Sequence, residues 1–205
     1  MGFYEEKVLP WGIDLCMRGE DFSKFRKQYL VPARGDVLEV GFGTGLNLPH
    51  YPDTVDRLWA LDPSKLGRKL ARKRLAAAKF PVEFIDLEGE RIPLNDGSVD
   101  TVVTTWTLCT IPNVAGALQE IKRVLKPGGR YVFLEHGLSP EENVARWQNR
   151  LNPIQKCFAG GCHLNRKIDA LIEASGLKIE TLETFEFPCP KIWGYMYAGV
   201  AVKTF

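Results

Sequence analysis

The run Val37-Leu38-Glu39-Val40-Gly41-Phe42-Gly43-Thr44-Gly45 decides how this chain is read. A short β-type stretch enters three glycines on alternate positions, so a buried strand ends in a tight turn and a short helix follows. Glycine is needed where backbone takes a positive φ or approaches a ligand closely, and a helix N-terminus adds N–H donors. A dinucleotide fingerprint sets its glycines at the first, third and sixth positions of such a turn. Here they stand at the first, third and fifth, with Leu46 in the sixth place, and no G-K-[ST] follows, which removes a P-loop. Glu39 interrupts an apolar strand, where an unpaired carboxylate would be costly. It is expected to face the crevice and a cationic or N–H-bearing partner, or else the amides of the turn itself. Asp62 ends the next β-type run, where a carboxylate can accept hydrogen bonds from ribose hydroxyls. Turn, Glu39 and Asp62 together point to an adenosine ligand carrying an ammonium group rather than a pyrophosphate.

Outward from the turn, β-type and helical runs alternate, the pattern of an α/β domain with a mostly parallel sheet. Strands are expected at 36–40, 57–61, 82–85, 101–106 and 130–135, and helices at 64–79 and 113–125. Ser64 is a good N-cap, and Ala115, Leu118, Ile121 and Leu125 recur at helical spacing. Lys126-Pro127-Gly128-Gly129 stops the second helix and turns the chain into the next strand. A third helix is expected at 163–175, closed by Gly176. Runs 177–187 and 193–202 then pair most simply as an antiparallel hairpin, since only the short stretch 188–192, with Cys189-Pro190-Lys191 at its centre, lies between them. The expected fold is α/β, a doubly wound, seven-stranded, mostly parallel sheet with an antiparallel last strand. One domain spans 1–205: an N-terminal cap or lid over 1–30, a cofactor-binding core over 36–135, and substrate-side helices with the hairpin over 136–205.

A chain of 205 residues with 45% apolar content buries enough surface to stand without disulfides or metals. No apolar run reaches the length of a membrane span. With 27 basic against 25 acidic residues, charge gives no ground for nucleic-acid binding. The opening MGFYEEKVLP carries acids and no apolar core, so it is not expected to be a secretory signal; Glu6 stands where a myristoylation motif wants Ser or Thr. Five cysteines without a C-x-x-C pair read as free thiols in a reducing compartment, hence a cytoplasmic protein. Cys157, Cys162 and His163 form the one metal-like cluster in the sequence. They lack a fourth ligand and zinc-type spacing, so no metal is expected.

Four segments resemble the class I S-adenosylmethionine-dependent methyltransferases: E-V-G-F-G-T-G (39–45), L-D-P-S (61–64), L-E-G-E-R-I-P-L-N-D-G-S-V-D (87–100) and R-V-L-K-P-G-G-R (123–130). They stand in the family's order and span most of the chain. The resemblance implies S-adenosylmethionine as cofactor, held by Glu39, Gly41, Phe42, Gly43, Gly45, Asp62, Pro63, Glu88, Gly89 and Thr105. It sets the glycines along the methionine part, Glu39 at the amino-acid end, Asp62 at the ribose, and Glu88 with Gly89 at the adenine edge. Glu88 stands where many relatives carry Asp, and Glu90 is the neighbouring candidate. Further runs at 1–10, 105–112 (T-W-T-L-C-T-I-P), 133–136 (F-L-E-H) and within 146–166 (R-W-Q-N-R-L-N-P and G-G-C-H-L-N-R) are similar to a bacterial branch of small-molecule methyltransferases. That branch is related to the microsomal alkyl-thiol methyltransferases and more distantly to bacterial phosphatidylethanolamine N-methyltransferases. The chain departs from the microsomal enzymes in lacking their hydrophobic N-terminal anchor, which suggests a cytosolic location.

The expected activity is methyl transfer to a small-molecule acceptor, a thiol first. Two alternatives stand beside it: a peripheral phospholipid N-methyltransferase and a non-catalytic cofactor-binding protein. His136 follows the fifth strand at the carboxyl edge, where a neutral imidazole could take the acceptor's proton or merely order the wall. Trp106, Leu108 and Cys109 are expected to wall the pocket, Cys109 as an inert thiol. Arg146, Trp147, Gln148 and Asn152 crowd one side of an expected helix. With His163, Asn165 and Arg166 they make either a polar substrate wall or a hydrogen-bonded brace. Phe3, Tyr4, Leu9, Trp11 and Ile13 suit a lid over the acceptor better than a membrane wedge, because Glu5, Glu6 and Asp14 are interspersed. The basic run at 64–79 reads as a solvated helix face, or otherwise as attraction to an anionic membrane surface. Oligomeric state is left open.

Overall fold

The computed structural model describes residues 8–87 and 89–204. Tyr4, in the expected lid, and Glu88 lie outside the described residues. The chain opens with helices α1 (Leu9–Met17) and α2 (Glu20–Tyr29). Strands β1 (Gly35–Val40), β2 (Val55–Leu61) and β3 (Val82–Ile85) follow, with the short helices α3 (Lys65–Leu70) and α4 (Arg72–Ala76) between the last two. Strand β4 (Val99–Thr105), helix α5 (Val114–Val124) and strand β5 (Leu125–His136) complete the parallel core. Helices α6 (Glu142–Phe158) and α7 (Ile168–Ala174) lead to β6 (Lys178–Glu186), the one-turn α8 (Lys191–Gly194) and β7 (Tyr195–Val202).

The seven strands lie in the order β3-β2-β1-β4-β5-β7-β6. Neighbours from β3 to β5 are parallel, while β7 runs antiparallel between β5 and β6, with Leu134 opposite Ala198 and Thr181 opposite Val200. The last strand is thus inserted as a hairpin, as its sequence suggests. Strand order reverses between β1 and β4, and in open α/β sheets the crevice outside the carboxyl ends at such a point is where ligands bind.

Period-two alternation gives each central strand two buried faces. Leu38, Val102, Tyr131 and Phe133 pack with Leu118 and Ile121 of α5 and Ile168 and Ile172 of α7. Val37, Val103 and Val132 face the other way, onto Leu30, Phe42, Leu48 and Ala71. With both strand faces covered by these layers, the carboxyl rim is the place where polar side chains can gather. Among the described residues no helix is long and apolar enough to cross a membrane.

Three expectations need correction. The helix expected over 64–79 is divided at Ala71, which is buried against the sheet. The helix expected from 163 begins at Ile168, because hydrogen bonds to the loop after β4 hold the preceding residues in irregular conformation. The lid also differs from its apolar reading. Helix α1 buries Asp14 and leaves Trp11, Ile13 and Leu15 at 58%, 43% and 61% exposure. Asp14 is the buried residue of this helix, and of the apolar set only Leu9 is half-buried among the described residues, against Gly160.

Candidate functional site

The glycine turn leaves β1 with φ of +81° at Gly41, +56° at Gly43 and +74° at Gly45, the left-handed region that L side chains rarely adopt. A Cβ at Gly41 would run into Thr107, whereas one at Gly43 would meet only Gly41 O at 3.9 Å. Gly43 therefore presents bare backbone to open space. Its amide donates to Asp62 Oδ2 at 2.7 Å, and the Ser64 amide donates to Oδ1 at 2.7 Å. Asp62 at the end of β2 so fixes the turn and the start of α3 together. Burial raises its pKa, against the lowering effect of the two amides. Phe42 turns into the core edge-on to Phe84 at 5.3 Å, so only its backbone is left to serve a ligand. Pro63 is exposed beside Asp62, and Gly89, at φ +68°, has no atom within 4 Å of its would-be Cβ.

Glu39 is 1% exposed. Its Oε1 accepts from Asn47 Nδ2 at 2.9 Å and its Oε2 from the Tyr51 hydroxyl at 2.8 Å. Burial pushes its carboxyl up to about 8, with Tyr51, Asn47 and Arg26 opposing. The expected cationic partner is reached indirectly: Arg26 Nε donates to Asn47 Oδ1 at 3.1 Å, and its guanidinium lies 4.8 Å over the Trp106 ring. Asn47 Nδ2 also reaches the Thr105 hydroxyl at 3.0 Å, linking the ends of β1 and β4. Arg26, Asn47 and Tyr51 were not legible as site residues, because no motif marks them and each is placed by folding across the sheet.

Trp106 occupies the step from β4 into the following loop at φ +49°, a conformation costly for a bulky residue. Its amide bonds to Leu134 O at 2.8 Å, and its ring meets Phe22 of α2 edge-on at 5.3 Å. The next turn is fixed by Glu135, fully buried, whose Oε2 accepts from the amides of Thr107 at 2.8 Å and Leu108 at 3.1 Å. Burial pushes the Glu135 carboxyl up to about 7.

That turn carries Cys109 against His136 and Cys162. The two thiol sulfurs and one ring nitrogen lie within 4.8 Å of one another, all on buried residues. His136 Nε2 stands 3.1 Å from Cys162 Sγ, and its Nδ1 has no partner among the described residues. Of the two ring nitrogens, Nε2 is thus engaged by the Cys162 thiol, and Nδ1 is the one left without a partner among the described residues. The cluster read from sequence neighbours is corrected. Cys157 is exposed on α6, and Gly160 and Gly161, at φ +58° and +83°, turn the chain so that Cys162 alone enters.

The polar set on and after α6 does not share one side. Arg146 is exposed and bonded to Asn143 Oδ1 at 2.8 Å, and Trp147 is 53% exposed beside Arg150. Gln148 is buried, taking the Ser139 amide at 2.9 Å and donating to Gly137 O and Ile192 O at 3.0 Å each. Asn152 accepts from the Leu164 amide at 2.9 Å, His163 Nδ1 lies 3.0 Å from Cys109 O, and Arg166 bonds to Leu108 O and Ile111 O. Asn152, His163 and Arg166 thus brace the wall that holds Cys109, while Gln148 ties α6 to the loop after β5 and to α8.

The basic run at 64–79 is partly spent within the fold. Arg68 pairs with Asp86, Arg74 with Asp14, and Lys79 with Asp53, while Lys65, Lys69, Arg72 and Lys73 are exposed. Arg74 Nη1 reaches Asp14 Oδ1 at 2.8 Å and Thr44 O at 2.9 Å, and Thr44 Oγ1 donates to Asp14 at 2.6 Å. Helix α1 is thereby tied directly to the glycine turn.

A parallel sheet with its last strand reversed, a glycine turn at the switch point, and acids at the ends of β1 and β2 define a class I methyltransferase. Residues 38–133 match the family model described as a methyltransferase domain. The chain is 38% identical over 174 residues to the rat thiol S-methyltransferase TMT1B, covering 82% of this chain and 70% of that one. It is 35% identical over 170 residues to the human thiol S-methyltransferase TMT1A, covering 78% and 69%. In structure it resembles a SAM-dependent methyltransferase of Thermotoga maritima, at a TM-score of 0.69 and 21% identity over 98% of each chain. The chain belongs to the class I S-adenosylmethionine-dependent methyltransferases, and it is an enzyme of that family.

Proposed function

We propose that this protein moves a methyl group from S-adenosylmethionine to a small thiol, with the cofactor seated between the glycine turn, Glu39 and Asp62. The observation that carries the reading is the bare backbone of Gly43, pinned by Asp62 beside the buried Glu39 carboxylate. These residues suit the cofactor. Asp62 keeps lone pairs beyond those given to the Gly43 and Ser64 amides, which ribose hydroxyls can use. Glu39, held up at about 8, becomes a better carboxylate once an ammonium group lies near it. Gly41 and Gly45 shape the turn, while Gly89 and Thr105 supply backbone room and a hydroxyl. When bound, the sulfonium supplies an electrophilic methyl carbon and departs as a neutral thioether.

What remains for the protein is to align the acceptor and exclude water. Trp106, Cys109, His163 and Arg166 form a rigid wall for that purpose, braced by Glu135. A thiol suits this site because an ordinary thiol, with pKa near 8.5, is already a few per cent thiolate at neutral pH. The thiol S-methyltransferase names of the similar rat and human proteins support the same acceptor class. Incubating the purified chain with methyl-labelled cofactor and separate panels of thiols, amines, phenols and phosphatidylethanolamine vesicles tests it. Label is expected in the thiols. Label confined to amines or lipid overturns the acceptor, and cofactor binding without turnover on any panel overturns the activity.

A further inference from the structure

Three buried side chains converge from distant parts of the chain, and the activity proposed above asks no chemistry of them beyond the place of Cys109 in the acceptor wall. Cys109 lies in the loop after β4, His136 ends β5, and Cys162 follows the glycine pair after α6. Two sulfurs and one imidazole nitrogen within 4.8 Å of one another are a donor set of soft and borderline character. We propose that Cys109, His136 and Cys162 form a binding site for a thiophilic divalent cation of the zinc type, with His136 ligating through Nε2.

The distances suit that set. A tetrahedral zinc centre takes sulfur at about 2.3 Å and nitrogen at about 2.0–2.1 Å, which sets its ligand atoms roughly 3.5–3.8 Å apart. The His136 Nε2 to Cys162 Sγ distance of 3.1 Å and the 4.8 Å limit on the whole set bracket those values. Small side-chain rotations would place all three atoms around one centre.

The surrounding structure holds the ligands in place. Cys109 O receives the His163 amide at 2.8 Å and faces His163 Nδ1 at 3.0 Å. Leu108 is held at its carbonyl by Arg166 and at its amide by Glu135. Such outer contacts fix the direction of a ligating side chain before a metal arrives. The three ligand residues are all buried, so two thiolates are the groups at hand to offset the charge of a dication there, and each thiol gives up its proton when it binds the metal. Three protein ligands leave a fourth position for water or another exchangeable ligand, the pattern of open rather than closed zinc sites.

The proposal rests on ligand geometry and not on the identity of the methyl acceptor, so its test reads the metal directly. Anaerobic titration of the reduced, metal-stripped full chain with cobalt(II) is expected to give sulfur-to-cobalt charge-transfer bands and tetrahedral visible bands, saturating at one ion per chain and displaced by zinc(II). Cys109→Ser and Cys162→Ser are each expected to weaken cobalt binding by about a hundredfold or more. Cys16→Ser, Cys157→Ser and Cys189→Ser, at exposed thiols, should leave it unchanged. X-ray absorption of the zinc-loaded wild-type protein needs no variant to fold, and should show two sulfur ligands and one imidazole. Absence of the cobalt bands, a shell of oxygen ligands, or bands that survive Cys162→Ser overturns the site. So does a wild-type mass two hydrogens low under mild reductant, which would make Cys109 and Cys162 a disulfide pair instead.

Discussion

Asp62 accepts the Gly43 amide hydrogen at 2.7 Å, and this bond fixes the open face of the glycine turn against the end of β2. One carboxylate therefore shapes the turn, and on the proposed reading it also meets the ribose end of the cofactor. Asp62→Ala should lower cofactor affinity by about 1.5–3 kcal/mol, the range for hydrogen bonds to a charged group, or roughly 10- to 150-fold. Isothermal titration with S-adenosylmethionine measures it. Affinity unchanged within twofold would remove Asp62 from the binding site.

Gly41 and Gly43 share a left-handed backbone but differ in what surrounds them. Alanine at Gly41 would collide with Thr107, so Gly41→Ala should destabilise the fold itself. Gly43→Ala carries only the backbone penalty, about 1–2 kcal/mol, because open space receives the methyl group. The expected outcome is a folded Gly43→Ala protein with a modestly lower denaturation midpoint and little cofactor binding, against a Gly41→Ala protein that loses far more stability. Equal loss of stability in the two would contradict the geometry.

The parallel core was legible because each of its strands is a compact apolar run bounded by turn residues. Glu39 and Asp62 were legible because an acid inside or just after such a run has few structural reasons to be there. The docking of α1 and α2 was not. A buried charge can be anticipated only with its partner, and Asp14 meets Arg74 from 60 positions away while Arg26 meets Asn47 from 21. Cys109 and Cys162 likewise lie far apart in sequence. Proximity along the chain drew Cys157 into the reading instead, although it sits near the exposed end of α6.

Asp14 and Arg74 hold the N-terminal helix over the site. Burial pushes Asp14 up, but the Thr44 hydroxyl and Arg74 prevail and keep its carboxyl below the usual range. A depressed folded pKa means that this stabilisation is present above the unfolded value, about 3.9, and is lost as pH falls through the folded one. Asp14→Ala leaves a half-buried guanidinium without its ion, which should cost about 1–3 kcal/mol in denaturant unfolding at neutral pH. The variant should also raise amide exchange in α1 selectively. A double-mutant cycle with Arg74→Ala should recover most of that cost as coupling; additive effects would show the contact to be incidental.

On the proposed reading, Glu39 makes cofactor binding release a proton. Its carboxyl is held up at about 8 by burial, so the free protein at pH 7 carries a proton there that an exposed glutamate, near 4.5, would have lost. The unfolded chain binds fewer protons than the folded one between those two values, so this group lowers stability as pH rises from about 4.5 to about 8 and contributes no further slope above. An ammonium group arriving beside the carboxylate reverses the preference and expels the proton. Titrations at pH 7 in buffers of differing ionisation enthalpy should therefore show release of close to one proton per cofactor bound, fading above about pH 9, where Glu39 is already ionised. Glu39→Gln should abolish the release, weaken binding, and remove the stability slope between pH 5 and 8. Proton release undiminished in that variant would place the cofactor's ammonium group elsewhere.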